Sequence, residues 1–433
     1  WLIFEPSDEI KRIAVNMIEG LVKIALKDDN MLYYPAENWD GQCWGKRVIA
    51  HPPTGLAIEG MVDIAGIIGV DRFLDYAGAF VNAVRKRAPY LFDDDGNMVR
   101  MGGGPYNFVL THVHSRLARL NGMLKYAIAV QDQSLMDWCI RAFSNVKSNL
   151  CSTFGWVPEG IETGPDWKEN GRDEVCAISD MMQIAAVLAK KTIPAERDLI
   201  VRYGLNQIFS HQILDCSKYA SLMEKGNSFK NTMKISYTNM PERCIGGFNG
   251  SAHPNDIVHF TGDFRAVSAC GQESTAGLKA ASASGCCSPA GIKALYVLWK
   301  EAVKRYESEL FVYGRMTMKN EDVVMQCGEP FKGEMSIKVK RNIEHLLIHF
   351  PDMEYITDFF ADRPYTLKGE WVDFGSFKEN DSVILSYTLK PISKKEIVGS
   401  VEYEFDWLGS RVLDVRPSGK IGDPYWWRKP KKS

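Results

Sequence analysis

No apolar run in this 433-residue chain approaches the roughly 20 residues needed to cross a bilayer, so no transmembrane helix is expected. Charge of one sign is also scarce. The formal net charge is −2, and the one basic cluster, Arg428 to Lys432, is a short tail. Without a basic field there is nothing to draw in nucleic acid, so neither nucleic acid nor a membrane is an expected partner. The ten cysteines, at 43, 139, 151, 176, 216, 244, 270, 286, 287 and 327, show no regular disulfide spacing and no C-x-x-C pair. That argues against a stapled scaffold and against the common zinc-finger spacings. Cys139 and Cys176 fall in apolar helical patterns, which suit buried thiols or ligands. The chain reads as reduced, favouring a cytoplasmic setting over a periplasmic or secreted one. No signal peptide is visible in the sequence, which opens at Trp1. Gly102-Gly103-Gly104 lacks the Lys and the preceding strand of a phosphate-binding loop.

Hydrophobic residues make up 45% and charged residues 24%, enough for a large core and against disorder. The length suggests two or three domains. Aromatic residues reach 11%, with 11 Trp, a richness found where sugars stack and also in large cores.

Residues 1–307 read as helices. Ser7-Asp8-Glu9-Ile10 looks like a helix start, with Ile13, Ala14, Met17, Ile18, Leu21, Val22 and Ile24 on its apolar face. Helices are expected over 54–69, 71–88, 108–131, 133–149, 174–190, 194–213, 264–281 and 289–306. Near 308 the period changes from about 3.6 to 2, the alternation of strands. Glu334 to Lys340, Ser382 to Thr388, Val401 to Phe405 and Arg411 to Val415 show it, separated by turn signals such as Gly369, Asn380-Asp381 and Gly409. The expectation is a multidomain α-then-β chain: a helical domain over 1–307 and an antiparallel β-sandwich over 308–433.

Two short motifs stand directly before apolar helical runs: Asp173-Glu174-Val175-Cys176 and Cys286-Cys287-Ser288-Pro289. Residues two apart on a regular helix point roughly 200° apart, so Glu174 and Cys176 can share a metal only in non-helical residues before the helix. Asp173 is a good N-cap there. Ser288 suits the N-cap of the second helix and Pro289 its first position. A thiolate at a helix start is favoured by the dipole, and sulfur-rich ligation selects zinc. Against this, adjacent cysteines arise by chance in a chain with ten, and buried cysteine packs as a small hydrophobe.

These motifs, with Pro330-Phe331-Lys332-Gly333-Glu334, Ile348-His349-Phe350-Pro351-Asp352, Glu379-Asn380-Asp381-Ser382-Val383, Tyr403 to Trp407 and Arg416-Pro417, resemble glycoside hydrolase family 127 and its uncharacterised relatives, the β-L-arabinofuranosidase-like proteins. The resemblance runs from about residue 50 to 420. It implies an (α/α)6-type barrel followed by a β-sandwich, and Zn2+ held by Glu174, Cys176, Cys286 and Cys287. It also implies a retaining release of a terminal, L-arabinofuranose-like sugar, with Cys286 attacking the anomeric carbon. A glutamate upstream of the Glu-x-Cys motif would protonate the leaving oxygen. Glu159 fits the spacing, and Glu162 stays open because Trp156 to Glu162 departs from the pattern. His51, His112, His114 and Trp156 are candidates for contacts with the sugar; capping and packing are their ordinary alternatives. Asp256 reads as a polar, solvent-facing loop residue. A carbohydrate is the expected partner, and a homodimer is left open. The rival readings are a non-catalytic carbohydrate-binding relative and a sugar epimerase or lyase on the same helical barrel.

Overall fold

The fold is seen in a computed structural model that describes residues 6–34, 52–87, 91–102, 112–163, 172–191, 195–217, 238–257, 266–267, 273–274, 286–419 and 422–425. Helices occupy most of the described first 301 residues and sheets follow, the expected α-then-β order. No helix among the described residues is long and apolar enough to cross a membrane. The chain forms two compact units: Trp1–Cys151 with Val157–Asn170 and Asp263–Ala276, and Ser152–Trp156 with Gly171–Gly262 and Gly277–Ser433.

The first unit holds α1 (Asp8–Ile24), β1 (Leu26–Asp28), β2 (Met31–Tyr33), α2 (Pro52–Ile68), α3 (Arg72–Arg87), β3 (Met101–Gly102), α4 (Val113–Val130), α5 (Gln133–Asn149), β4 (Glu162–Thr163), β5 (Ala266–Val267) and β6 (Glu273–Ser274). Ser7 caps α1 through its side chain, accepting from Ile10 N at 3.2 Å, as the start signal implied. Only part of its apolar stripe is covered: Ala14, Ile18 and Val22 are buried, whereas Ile13, Met17 and Ile24 are exposed. Helix α4 is buried at Val113 and from Ser115 to Leu124. It tolerates Arg116 in that setting because the guanidinium Nη1 donates to Leu91 O and Val99 O, both at 2.7 Å. The helix expected over 264–281 is not formed where the segment is described. Ala266–Val267 and Glu273–Ser274 pair antiparallel instead. Gly271 falls inside that segment, and glycine costs a helix interior roughly 1 kcal/mol relative to alanine.

The second unit holds α6 (Val175–Lys191), α7 (Glu196–Tyr203), α8 (Cys287–Glu301) and the strands β7 (Val303–Tyr306), β8 (Glu309–Val312), β9 (Met318–Lys319), β10 (Val323–Cys327), β11 (Glu334–Val339), β12 (His345–His349), β13 (Ile356–Ala361), β14 (Thr366–Lys368), β15 (Trp371–Asp373), β16 (Ser382–Leu389), β17 (Pro391–Val398), β18 (Val401–Leu408) and β19 (Arg411–Arg416). Helix α7 runs into a π-helical turn, Gly204–Ile208, before Phe209–His211. That turn presents Asn206 to the last sheet: Nδ2 donates to Ser410 O and Oδ1 accepts from Val412 N, each at 2.9 Å. Helix α8 ends at Glu301, earlier than expected, because Val303–Tyr306 pairs with β8 as a strand.

Two five-stranded sheets, ordered β13-β16-β11-β10-β9 and β14-β15-β12-β8-β7, share one core. Period-2 alternation supplies it: Met335, Ile337 and Val339 from β11 and Val383, Leu385 and Tyr387 from β16 all point inward. The pairing is antiparallel except for β8 with β12, which run parallel. Strands β17-β18-β19 form a third sheet packed on Phe154 and Trp156. One motif residue of the sandwich, Asp352, belongs to a buried ionic knot. Arg315 spans Glu329 (2.7 Å) and Asp352 (2.7 and 2.6 Å), and the Tyr387 hydroxyl donates to Glu329 at 2.6 Å.

Candidate metal centre

Three pieces of chain in the second unit build the site. Helix α6 starts at Val175, and Glu174 O accepts from Ile178 N at 3.0 Å, so Glu174 stands in the N-cap place. Cys176 lies in the first helical turn. Of the two residues expected ahead of the helix, only Glu174 is there. That is enough, because the extended residue before a helix is not bound to the helical rotation. Helix α8 starts at Cys287 with Cys286 as its N-cap, which makes no side-chain cap bond. Ser288 and Pro289 therefore sit deeper in the helix than their sequence signals suggested. Ser288 Oγ accepts instead from Phe248 N at 3.3 Å. Ser179 Oγ donates to Ala290 O at 2.9 Å, fixing the start of α8 against α6.

The third piece is the loop 246–252. Its Gly250 O accepts from Val175 N at 3.4 Å and lies 3.7 Å from Cys287 Sγ. The loop reaches this position because α8 carries glycine at 291. A Cβ there would stand 2.4 Å from the Phe248 ring, which is fully buried.

Together these pieces bring Glu174, Cys176, Cys286 and Cys287 into one cluster, with ligand atoms all within 4.8 Å of one another. Cys176 Sγ and Cys287 Sγ are 3.5 Å apart, Cys286 Sγ and Cys287 Sγ 3.8 Å, and Cys287 Sγ and Glu174 Oε1 3.9 Å. All four cysteine–carboxylate positions predicted from sequence thus converge. No disulfide joins these cysteines, since one would hold its sulfurs near 2.05 Å. A tetrahedral zinc with bonds of about 2.3 Å holds its ligand atoms roughly 3.8 Å apart, so the spacing and the S3O donor set both fit that metal. Glu174, Cys176 and Cys287 are buried, whereas Cys286 is exposed.

Hydrogen bonding with Cys286 and Cys287, then burial and the Glu174 charge, push the Cys176 thiol far above its usual range. At Cys287 the Cys176 thiol acts to lower the value, but Cys286, burial and Glu174 outweigh it and raise it. By themselves these groups resist ionisation at neutral pH. A divalent cation reverses that balance by supplying the largest local charge.

Asp173, expected as the N-cap, does not cap: Glu174 holds that place, and the Asp173 carboxylate turns to distant partners. It is 1% exposed, with Oδ1 accepting from Ala252 N at 2.8 Å and Oδ2 paired with His211 Nε2 at 2.8 Å. It thereby ties the Glu174 turn to the 246–252 loop and to the end of the α7 segment, where Asn249 N donates to His211 O at 2.9 Å. Sequence reasoning missed His211; a lone histidine closing a helical stretch carried no local signal. Asp256, expected at the surface, is 6% exposed, and its Oδ1 accepts from Gly422 N at 2.9 Å.

The remaining candidates lie elsewhere in the chain. Glu159 is half-buried in the first unit, and its main-chain carbonyl accepts from Val113 N at 2.9 Å. Glu162 lies in β4, opposite Met101 in a short parallel pair. His112 is the N-cap residue of α4, its Nδ1 2.9 Å from Ser115 Oγ and its ring edge-on to His114 at 5.6 Å. Trp156 is 3% exposed and its ring is committed to the cluster with Phe154, Tyr403, Phe405 and Trp407. His51 lies outside the described residues.

The helical region, the sheets that follow it in sequence and the cysteine cluster define a class: an α-then-β chain with a thiol-rich candidate metal centre. Its fold is similar to that of two solved glycoside hydrolase family 127 proteins. The crystal structure of a family 127 β-L-arabinofuranosidase from Geobacillus stearothermophilus T6 matches 94% of this chain and 73% of its own, at 13% identity and a TM-score of 0.50. A second family 127 protein, a β-arabinofuranosidase, matches over 95% of this chain and 61% of its own, at 11% identity and a TM-score of 0.56. The chain therefore spans about three quarters and three fifths of those two proteins. No family model and no curated protein matches the sequence.

Proposed function

We propose that this chain is a retaining glycoside hydrolase that releases a terminal, L-arabinofuranose-like sugar, using Cys286 as nucleophile and a glutamate as acid/base. The helical region would be the (α/α)6-type barrel of the family. The observation that carries the reading is the asymmetry of the cluster: three donors are buried, and the fourth, Cys286, is exposed where a substrate can reach it. The fold likeness to two arabinofuranosidases supports it.

Zinc is the metal the donor set fits, with Glu174, Cys176, Cys286 and Cys287 holding it; when bound it would keep the thiols ionised at neutral pH. Cys286 Sγ then attacks the anomeric carbon as the glycosidic C–O bond breaks. Glu159, or Glu162 three residues on, gives its proton to the leaving oxygen. In the second half the same carboxylate takes a proton from water, whose oxygen displaces Cys286 from the anomeric carbon. Two inversions give net retention, as in glycosidases with paired carboxylates. His112 and His114 are candidates for hydroxyl contacts.

The test is hydrolysis of aryl β-L-arabinofuranosides by the wild-type chain and by Cys286→Ser, with the product anomer followed by NMR. Retention with wild type, and loss of turnover in Cys286→Ser, are expected. Full activity in Cys286→Ser, or an inverted product, would overturn the mechanism. Glu159→Gln should slow substrates with poor leaving groups most; if only Glu162→Gln does so, Glu162 is the acid.

A further inference from the structure

A cavity of about 320 Å³ lies wholly in the first unit and shares no residue with the cysteine cluster. It is bounded by the end of α3, the turn at 91–94, the middle of α4 and the start of α5. Its size falls within the roughly 300–1,000 Å³ of small-molecule sites.

The walls are of two kinds. Val84, Leu91, Leu120, Met123 and Leu135 make an apolar lining, joined by Phe92 and Trp138. Those two rings meet edge to face at 5.6 Å and 77°. Aliphatic walls of this sort suit a ligand with an apolar body and are a poor match for a ring of hydroxyls. The charged lining is Arg85, Arg119 and Arg141 with Asp93 and Asp94. Asp93 is engaged in its own turn: Oδ1 accepts from Asn97 N at 2.7 Å and Oδ2 from Asn97 Nδ2 at 3.0 Å. The Asn97 amide holds its carboxyl below the usual carboxylate range. Three guanidinium groups thus meet two carboxylates in the lining, with Arg85 and Arg141 at its exposed edge and Arg119 in the buried wall. Arg119 is 1% exposed, anchored by Nη1 on Ser115 O at 2.9 Å. A planar, fork-shaped donor held in a dry wall is the group that best recognises a carboxylate.

We propose that this cavity is a binding site for a small arene carboxylate, the arginines receiving the carboxylate and the Phe92–Trp138 pair flanking the ring. The site is independent of the cysteine chemistry, and its test needs no catalysis.

The experiment uses the full chain and 4-fluorobenzoate as probe, followed by ligand-observed fluorine NMR. 4-Fluorobenzyl alcohol removes the charge, acetate removes the ring, and glucuronate offers a carboxylate on a polar ring. Saturable binding of 4-fluorobenzoate is expected, with the alcohol about tenfold weaker or more, the loss set by charge-assisted hydrogen bonds. Acetate and glucuronate should not displace it at matched concentration. Arg141→Gln and Trp138→Leu should each weaken it about tenfold with unchanged circular dichroism; Arg85→Gln replaces any variant that fails to fold. Absence of saturation overturns the proposal. So does equal binding of the alcohol, displacement by glucuronate or acetate, or indifference to both substitutions.

Discussion

Asp173→Ala should loosen both the fold around the cysteine cluster and its hold on metal. The carboxylate is buried and makes two contacts of 2.8 Å, with Ala252 N and with His211 Nε2. Removing it strands two buried polar groups, each costing about 1–3 kcal/mol. The sum is a loss of roughly 2–6 kcal/mol, less whatever water recovers in the space left behind. Asp173→Asn is the informative partner. Its amide keeps an acceptor for Ala252 N and offers a donor to His211 Nε2. The imidazole must then carry its proton on Nδ1, a buried atom with no hydrogen-bond partner. That variant should lose only about 1 kcal/mol. Because Ala252 and Gly250 share one loop, Asp173→Ala should also weaken metal binding about 10–100-fold, as loss of an orienting partner does. Denaturant unfolding of the metal-free chain and metal competition with a chelator measure the two effects. An Asp173→Ala protein within 0.5 kcal/mol of its parent, with unchanged metal affinity, would refute the reasoning.

Two further outcomes are expected in the β-rich region. Arg315→Met should destabilise by about 3–5 kcal/mol, since it leaves Glu329 and Asp352 as buried carboxylates without their cation; adding Glu329→Gln and Asp352→Asn should recover part of it in unfolding curves. At Asp373 burial acts to raise the carboxyl, but Lys368, the Gly375 amide and His345 outweigh it and bring it down to about 2. The folded value lies below the unfolded one of about 3.9, so its stabilisation is present above about pH 4 and is lost as pH falls toward 2. Asp373→Asn should therefore be less stable than wild type at pH 6, with the gap closing in acid unfolding titrations; a pH-independent gap would contradict the assignment.

How much was legible in the sequence depended on the range of the interactions involved. Ser7 and its bond to Ile10 N are three residues apart, and the first helix start was readable. The alternation of β11 and β16 is a local pattern that survives folding, and both strands lie where it placed them. The four cluster residues were legible because thiols and a carboxylate at two helix starts are chemically conspicuous. Asp173 was misread because an N-cap is the local use of an aspartate, whereas its partners His211 and Ala252 are 38 and 79 residues away. The parallel pairing of β8 with β12 is likewise a matter of connection, not composition. Val303–Tyr306 could continue a helix by periodicity alone; pairing with β8 decides it. The Ile348 to Asp352 motif was visible, but its part in the Arg315 knot needed coordinates.

The most direct test is the metal content of the full chain, purified under reducing conditions, loaded with zinc, desalted and measured by elemental analysis beside Cys176→Ala and Cys287→Ala. One zinc per chain is predicted for wild type, with loss to well below half occupancy in each variant while circular dichroism shows the fold intact. A folded wild-type chain that retains no zinc, or variants that retain it in full, would contradict the claim that Glu174, Cys176, Cys286 and Cys287 form a metal centre.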